Sequence, residues 1–183
     1  NYETQERRLK ESGKLYSDYV TETKMPQVVI LAGGLGSRLG KLTETVPKSL
    51  IEIAGKPVLT HILDWANGQG CRNAIVLTGH LGEHFEGFLH DGIALEFVQE
   101  TEPLGTGGAI WNARDHIQEE FILLWGDDYH PINYRHLYKQ HKKSKMPLTM
   151  TVIESYDAPN LHHSGGVVQE YSKSGKSKRF NGY

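Results

Sequence analysis

Residues 28–59 read VVILAGGLGSRLGKLTETVPKSLIEIAGKPVL, and this stretch narrows the architectures open to the chain. An apolar run of strand length, Val28 to Ala32, breaks into Gly33-Gly34-Leu35-Gly36-Ser37-Arg38-Leu39. Three glycines in four positions clear side chains away, so that backbone N–H groups can come close to an anion. Arg38 and then Lys48, just after Pro47, add fixed positive charge beside the loop. A strand, a glycine loop and two cations together suit a nucleoside triphosphate. Two common phosphate fingerprints do not fit. The P-loop needs Gly-Lys-Ser/Thr after four spacer residues, and Gly36 is followed by Ser37-Arg38. The dinucleotide pattern Gly-x-Gly-x-x-Gly starts at Gly34 and Gly36 but meets Leu39 at its last glycine.

Strand and helix patterns alternate from Gln27 onward. Strands are predicted over 28–32, 74–78, 94–98, 121–125 and 148–153, and helices over 57–69, 81–89, 107–117 and 132–143. Residues 166–171 and 178–183 are predicted to form a hairpin around Ser174-Gly175. This alternation predicts an α/β, Rossmann-like fold with a mainly parallel sheet and helices on both faces. Ligands of such sheets sit beyond the carboxyl ends of the strands. Three motifs fall there: Gly33–Arg38, Glu100–Gly108 and Gly126-Asp127. Residues 1–24 are polar and charged, with a thin stripe of Leu9, Tyr16 and Val20, and are expected to be an N-terminal extension or linker.

Composition removes several classes. The 183 residues are 38% hydrophobic and 23% charged with a formal net charge of −2, so no basic footprint for nucleic acid is present. The one cysteine, Cys71, excludes an intrachain disulfide and fits a reducing, cytoplasmic setting. No apolar stretch approaches the roughly 20 residues of a membrane span. The ten histidines include His80/His84 and His162-His163, but none has zinc-site spacing with Cys or an acid. Trp65, Trp111 and Trp125 fall on predicted elements and are expected in the core. The chain begins at Asn1 rather than Met, which reads as a fragment, a processed chain or one piece of a fusion to an upstream domain.

Leu31-Ala32-Gly33-Gly34, then Gly36-Ser37-Arg38-Leu39, then Pro47-Lys48, in that order, resembles the sugar-1-phosphate nucleotidyltransferase family, and the loop Leu104-Gly105-Thr106-Gly107-Gly108-Ala109 is most similar within it to heptose-1-phosphate guanylyltransferases, with variants in mannose-1-phosphate and amino-sugar relatives. The likeness runs from about Gln27 to Lys173, and residues 25–183 would be its catalytic domain, cut short at the C-terminal end. It implies that a sugar 1-phosphate attacks the α-phosphorus of a nucleoside triphosphate, giving a nucleotide sugar and pyrophosphate for a bacterial-type glycan. Carried over motif by motif, Leu31, Ala32, Gly33, Gly34, Gly36 and Ser37 would line the nucleotide, Arg38 would grip the β- and γ-phosphates, and Lys48 would bridge the two reacting phosphates. Asp127, at the end of FILLW-Gly126, would bind Mg²⁺, and Asp128 would point elsewhere as a capping or solvated acid. Glu100, with Pro103, Gly105 and Thr106 of the Pro-Leu-Gly-Thr-Gly-Gly loop, would hold the base. A carboxylate there matches guanine N1–H and N2–H₂, which leans toward GTP. Gly166 and Lys173 would hold the sugar and its phosphate, although Gly165-Gly166 stands where many members have Tyr-Gly, and Ser172-Lys173 where many have Glu-Lys. The family's second metal-binding Asp has no match before Tyr183. The expected partners are the triphosphate and the sugar 1-phosphate, with no nucleic acid and no membrane, and a homo-oligomer is left open. Two alternatives stay open as well: a cytidylyltransferase acting on a small phosphate such as phosphocholine, and a non-catalytic regulatory subunit that binds nucleotide sugars.

Overall fold

A computed structural model of the chain describes residues 24–154, 160–172 and 180–182. It divides into two compact units, 1–132 and 133–183. The first unit is built on a four-stranded sheet in the order β5-β4-β1-β6, where β1 is Gln27–Leu31, β4 Asn73–Thr78, β5 Ala94–Gln99 and β6 Phe121–Trp125. Every pairing in it is parallel. The short strands β2 (Glu52–Ile53) and β3 (Lys56–Pro57) pair antiparallel apart from it.

The apolar runs explain why this sheet forms. Val28, Val29 and Ile30 are fully buried, as are Ile75 and Val76 in the neighbouring strand. Strands buried on both faces lose the apolar/polar alternation and become continuous Val/Ile/Leu runs. Successive side chains still alternate in direction. Val29, Ile75 and Leu77 pack with Ala109 and Ala113 at helix α2 (Gly105–Asn112), and Leu31, Val98 and Leu123 extend that layer. Val28, Ile30, Ala74 and Val76 therefore belong to the opposite face. Helix α1 (Val58–Gly68) buries Leu59, Ile62, Leu63 and Ala66 at helical spacing. The chain moves one way from β1 through α1 to β4 and returns the other way from β5 through α2 to β6. Right-handed crossovers then assign α1 and α2 to opposite faces.

Two predicted helices of this unit differ from what is observed. Residues 81–89 form only a short 3₁₀ turn, Gly82–Phe85, because Leu81 (φ 58°) and Gly87 (φ 74°) both adopt left-handed backbone that ends a right-handed helix. The helix expected at 107–117 starts earlier, at Gly105, and stops at Asn112. Trp111 and Trp125 are 69% and 38% exposed, so neither is a core residue. Trp111 lies on the outward side of α2, with the Arg114 guanidinium 4.9 Å from its ring centroid.

The second unit contains helix α3 (Tyr134–Ser144), capped by the Asn133 side chain, which accepts the His136 N–H at 2.8 Å. Its sheet has the order β7-β10-β8-β9, with β7 Val152–Glu154, β8 Leu161–Ser164, β9 Val167–Tyr171 and β10 Phe180–Gly182, all antiparallel. The strand predicted over 148–153 is thus reduced to its last residues. The predicted hairpin is also corrected: β9 turns back onto β8, and β10 lies between β7 and β8. Gly165 and Gly166, at φ 58° and 78°, supply the two left-handed positions of a tight two-residue hairpin turn.

One surface cluster ties α1 to its flanking loops. Asp64 accepts from Lys56 Nζ at 2.9 Å and pairs with His90 Nε2 at 3.0 Å. The Lys56 hydrogen bond first, and then that from His90, holds the Asp64 carboxyl below its ordinary value. A depressed aspartate stabilises the fold above its unfolded pKa, about 4, and that contribution fades as pH falls through the lower folded value. The stability difference between the native chain and Asp64→Asn, measured as denaturant midpoint against pH, should be constant near neutrality and should shrink below about pH 4. A difference that grew on acidification would contradict this assignment.

Candidate active site

The strand order reverses at β1. Beyond it the chain runs outward to β4 and β5, then crosses back to β6 on the other side. Such a reversal opens a crevice at the carboxyl ends of the two diverging strands. Two of the motifs sit there: the glycine loop leaves β1, and Gly126-Asp127 leaves β6. The strands are in register from Gln27 opposite Phe121 to Leu31 opposite Trp125, so both motifs emerge at the same level.

Backbone contacts fix the floor of the crevice. Gly126 N–H donates to Leu31 O at 2.8 Å, and Ala32 N–H donates to Leu77 O at 2.8 Å. A Cβ at Gly126 would lie 3.1 Å from Leu31 O, 3.2 Å from Ala32 Cβ and 3.3 Å from Ser49 Cβ, so any side chain there would need its neighbours to give way by a few tenths of an ångström. Gly34 is different: a Cβ there would meet nothing within 4 Å. Its lack of a side chain leaves open space above the loop.

The loop itself is pinned by Thr43, a residue the sequence reading did not single out. Its buried hydroxyl is 3.0 Å from Gly36 O and 3.1 Å from Gly40 O. Gly36 takes φ 63°, and a Cβ there would press within 2.7 Å of the Thr43 side chain. Ser37 begins a short 3₁₀ segment, Ser37–Thr43, that carries Arg38. Arg38 is exposed, and its guanidinium makes no hydrogen bond or ion pair among the described residues.

Lys48 starts a 3₁₀ turn, Lys48–Leu50, directly after extended Pro47. Helix α1 packs against this turn. Lys48 Nζ donates to Asp127 Oδ2, joining the two motifs across 79 residues of sequence. The side chains are 32% and 35% exposed. Asp128 pairs instead with His130, with Nδ1 and Oδ1 3.2 Å apart. Ser49, next to Lys48, is 3% exposed, and its hydroxyl has no hydrogen-bond partner.

Glu100 stands at the end of β5. Its backbone N–H donates to Thr78 O at 2.9 Å, and its carboxylate accepts the Leu104 N–H at 3.3 Å, just ahead of α2. A Cβ at Gly33 would lie 2.8 Å from Glu100 Oε1, and one at Gly79 would lie 2.9 Å from the same oxygen. The ends of β1, β4 and β5 therefore converge on this carboxylate. Gly79 was also missed from sequence, where one glycine after an apolar strand looks like ordinary punctuation. Pro103, Gly105 and Thr106 are exposed at the start of α2, and Gly105 is left-handed at φ 69°.

The first unit thus brings together Leu31, Ala32, Gly33, Gly34, Gly36, Ser37, Lys48, Glu100 and Asp127 at the strand ends, with Arg38 exposed on the same loop. Gly166 belongs to the second unit, in the β8–β9 turn. Lys173 lies outside the described residues. Chemically, open backbone at Gly34, two cations and one carboxylate can accommodate a polyphosphate together with a metal counter-ion. No group of three or more His, Cys, Asp or Glu that could hold a metal unaided occurs among the described residues.

A parallel sheet whose order reverses beside a glycine loop defines an open α/β domain with a crevice at its strand ends. The chain matches the family model described as Nucleotidyl transferase over residues 27–181, and it belongs to that family. It is 35% identical over 130 residues to the D-glycero-alpha-D-manno-heptose 1-phosphate guanylyltransferase of Aneurinibacillus thermoaerophilus, covering 69% of this chain and 56% of that protein. It is 32% identical over 132 residues to the UTP–glucose-1-phosphate uridylyltransferase AglF of Haloferax volcanii, covering 70% and 54%. Among solved structures, HddC from Yersinia pseudotuberculosis complexed with GMP-PN aligns with a TM-score of 0.67 at 28% identity, over 86% of this chain and 73% of that one. The chain spans about half the length of the curated relatives it matches.

The glycine contacts can be checked by melting. Gly126→Ala should lose about 1–3 kcal/mol, because its new methyl meets backbone and Cβ atoms that cannot swing aside. Gly34→Ala should melt like the native chain. Equal losses at both positions would mean that the crevice floor is not built as described.

Proposed function

We propose that this chain carries the nucleotidyl-transfer site of a sugar-1-phosphate nucleotidyltransferase, with GTP as the nucleotide and a heptose or related sugar 1-phosphate as the acceptor. Its product would be a nucleotide sugar for glycan assembly. The observation that carries this reading is the meeting of Lys48 and Asp127 at the crevice between β1 and β6, beside an open glycine loop. The names of the heptose guanylyltransferase relative and of the HddC complex support the sugar and the base.

The chemistry needs no covalent enzyme intermediate. An oxygen of the sugar phosphate attacks the α-phosphorus, the bond to the β-phosphate oxygen breaks, and pyrophosphate leaves with the bonding electrons. The attacking phosphate is already anionic, so no general base is required. Catalysis then rests on holding two anions in line and on offsetting charge in the transition state. Arg38 presents a planar fork suited to the β- and γ-phosphates. Lys48 leaves Asp127 and lies between the α-phosphate and the incoming sugar phosphate. Glu100 turns from the Leu104 N–H to the base edge, where a carboxylate accepts both guanine donors.

Asp127 fits Mg²⁺: it is a partly exposed carboxylate at a strand end, and Mg²⁺ is commonly held by one or two carboxylates together with substrate phosphates. Bound there, the metal would neutralise charge on the phosphate oxygens. Uridylyl transfer is the second reading, favoured by the name of the Haloferax relative.

Lys48→Ala should lower turnover at least about a hundredfold, the scale of one lost transition-state charge contact, with a smaller change in the KM for nucleotide. Turnover within threefold of native would remove Lys48 from the chemistry. Glu100→Gln should weaken GTP more than UTP in competition binding. Equal weakening of both would leave Glu100 with only its role at the start of α2.

A further inference from the structure

The two cations of the crevice are held differently. Lys48 is fixed by Asp127, whereas the Arg38 guanidinium is exposed and bonds to no described residue. A long side chain without an anchor takes its direction from the backbone beneath it, and ordering it on binding costs affinity.

That backbone has little preference of its own. Arg38 lies between Gly36 (φ 63°) and Gly40 (φ 57°, ψ −130°). Glycine enters left-handed backbone without strain, and it leaves as readily. Two such residues around the arginine would let the arc swing unless something outside it ties the ends. Thr43 does this. Its Oγ1 is 3.0 Å from Gly36 O and 3.1 Å from Gly40 O, so one hydroxyl hydrogen is shared between the carbonyls at the two ends of the arc. Thr43 is only 5% exposed, so water competes little for these bonds. Its methyl adds shape to the chemistry, because a Cβ at Gly36 would come within 2.7 Å of Thr43 Cγ2. From inside the arc, Leu39 N–H donates to the same Gly36 O at 2.8 Å. The arc is therefore closed at both glycines by a buried side chain that lies three residues beyond it.

We propose that Thr43 is a positioning residue: by clamping Gly36 and Gly40 it holds Arg38 in the direction from which the guanidinium meets the β- and γ-phosphates. The preference for a triphosphate over a monophosphate then depends on a hydroxyl that touches neither. This rests on the nucleotidyl-transfer reading given above, in which Arg38 grips those phosphates, and the test separates the two.

The Kd of GTP and of GMP is measured in Mg²⁺ for the native chain, Thr43→Val, Thr43→Ser, Arg38→Met and the Thr43→Val/Arg38→Met double variant. Melting curves establish that each is folded. Valine keeps the shape of threonine without the hydroxyl, and serine keeps the hydroxyl. Thr43→Val should weaken GTP at least about fivefold, within the range of one lost hydrogen bond, and GMP by less than about twofold. Thr43→Ser should stay within about twofold of native for both nucleotides, because the clamp remains. In the Arg38→Met background the valine substitution should cost GTP less than about twofold, since no guanidinium is left to direct. Thr43→Ala, which also lacks the hydroxyl, carries the same comparison if the valine chain does not fold. Equal weakening of GTP and GMP would reduce Thr43 to a structural contact and overturn the proposal. So would a full loss that persists without Arg38, or GTP binding that the valine leaves unchanged. A native chain that binds GTP no more tightly than GMP would overturn the triphosphate grip itself, and with it the functional reading, whatever the variants do.

Discussion

Parallel pairing of β1 with β4 on one side and β6 on the other governs everything else in the first unit. Because β1 is the strand where the order reverses, its carboxyl end and that of β6 open toward a shared crevice. The in-register pairing brings Gly126 so close to Leu31 O that a side chain there would crowd it. That closeness delivers Asp127 to the glycine loop, and the loop's onward path returns Lys48 to the same place. One backbone arrangement thus sets the positions of a carboxylate and an ammonium that lie far apart in sequence. Neither side chain would have a defined role on a surface loop.

Acids in this site are economical. Glu100 and Asp127 each have an internal partner in the free chain: a backbone N–H ahead of α2 for one, Lys48 for the other. Family membership follows from the match over residues 27–181, while the relatives' names bear on base and sugar only as far as this chain's residues can be shown to use them.

Much of this was legible in the sequence, for identifiable reasons. Continuous apolar runs such as VVIL and FILLW mark strands buried on both faces, and the glycine loop with Arg38 and Lys48 pointed to the crevice proposed to hold phosphate. What escaped was set by tertiary contact or by backbone sign. Thr43 pins the loop through carbonyls that a sequence does not reveal, and Gly79 matters only because Glu100 lies against it. The segment after Leu81 has helical composition but left-handed backbone at two points. Trp111 has the composition of a core residue, yet it sits on the outer side of a short helix. The β8–β9 turn lies at the Gly165-Gly166 pair, whereas the sequence pattern placed the hairpin turn at Ser174-Gly175.

The crevice is proposed to transfer a nucleotidyl group to a sugar phosphate. Pyrophosphate release, measured in Mg²⁺ for each of four nucleoside triphosphates against a panel of sugar 1-phosphates, tests it most directly. Release should require both substrates and be strongest for GTP with one sugar phosphate. Tight binding of a nucleotide sugar without pyrophosphate release from any pair would contradict it, and would make the crevice a binding site without chemistry.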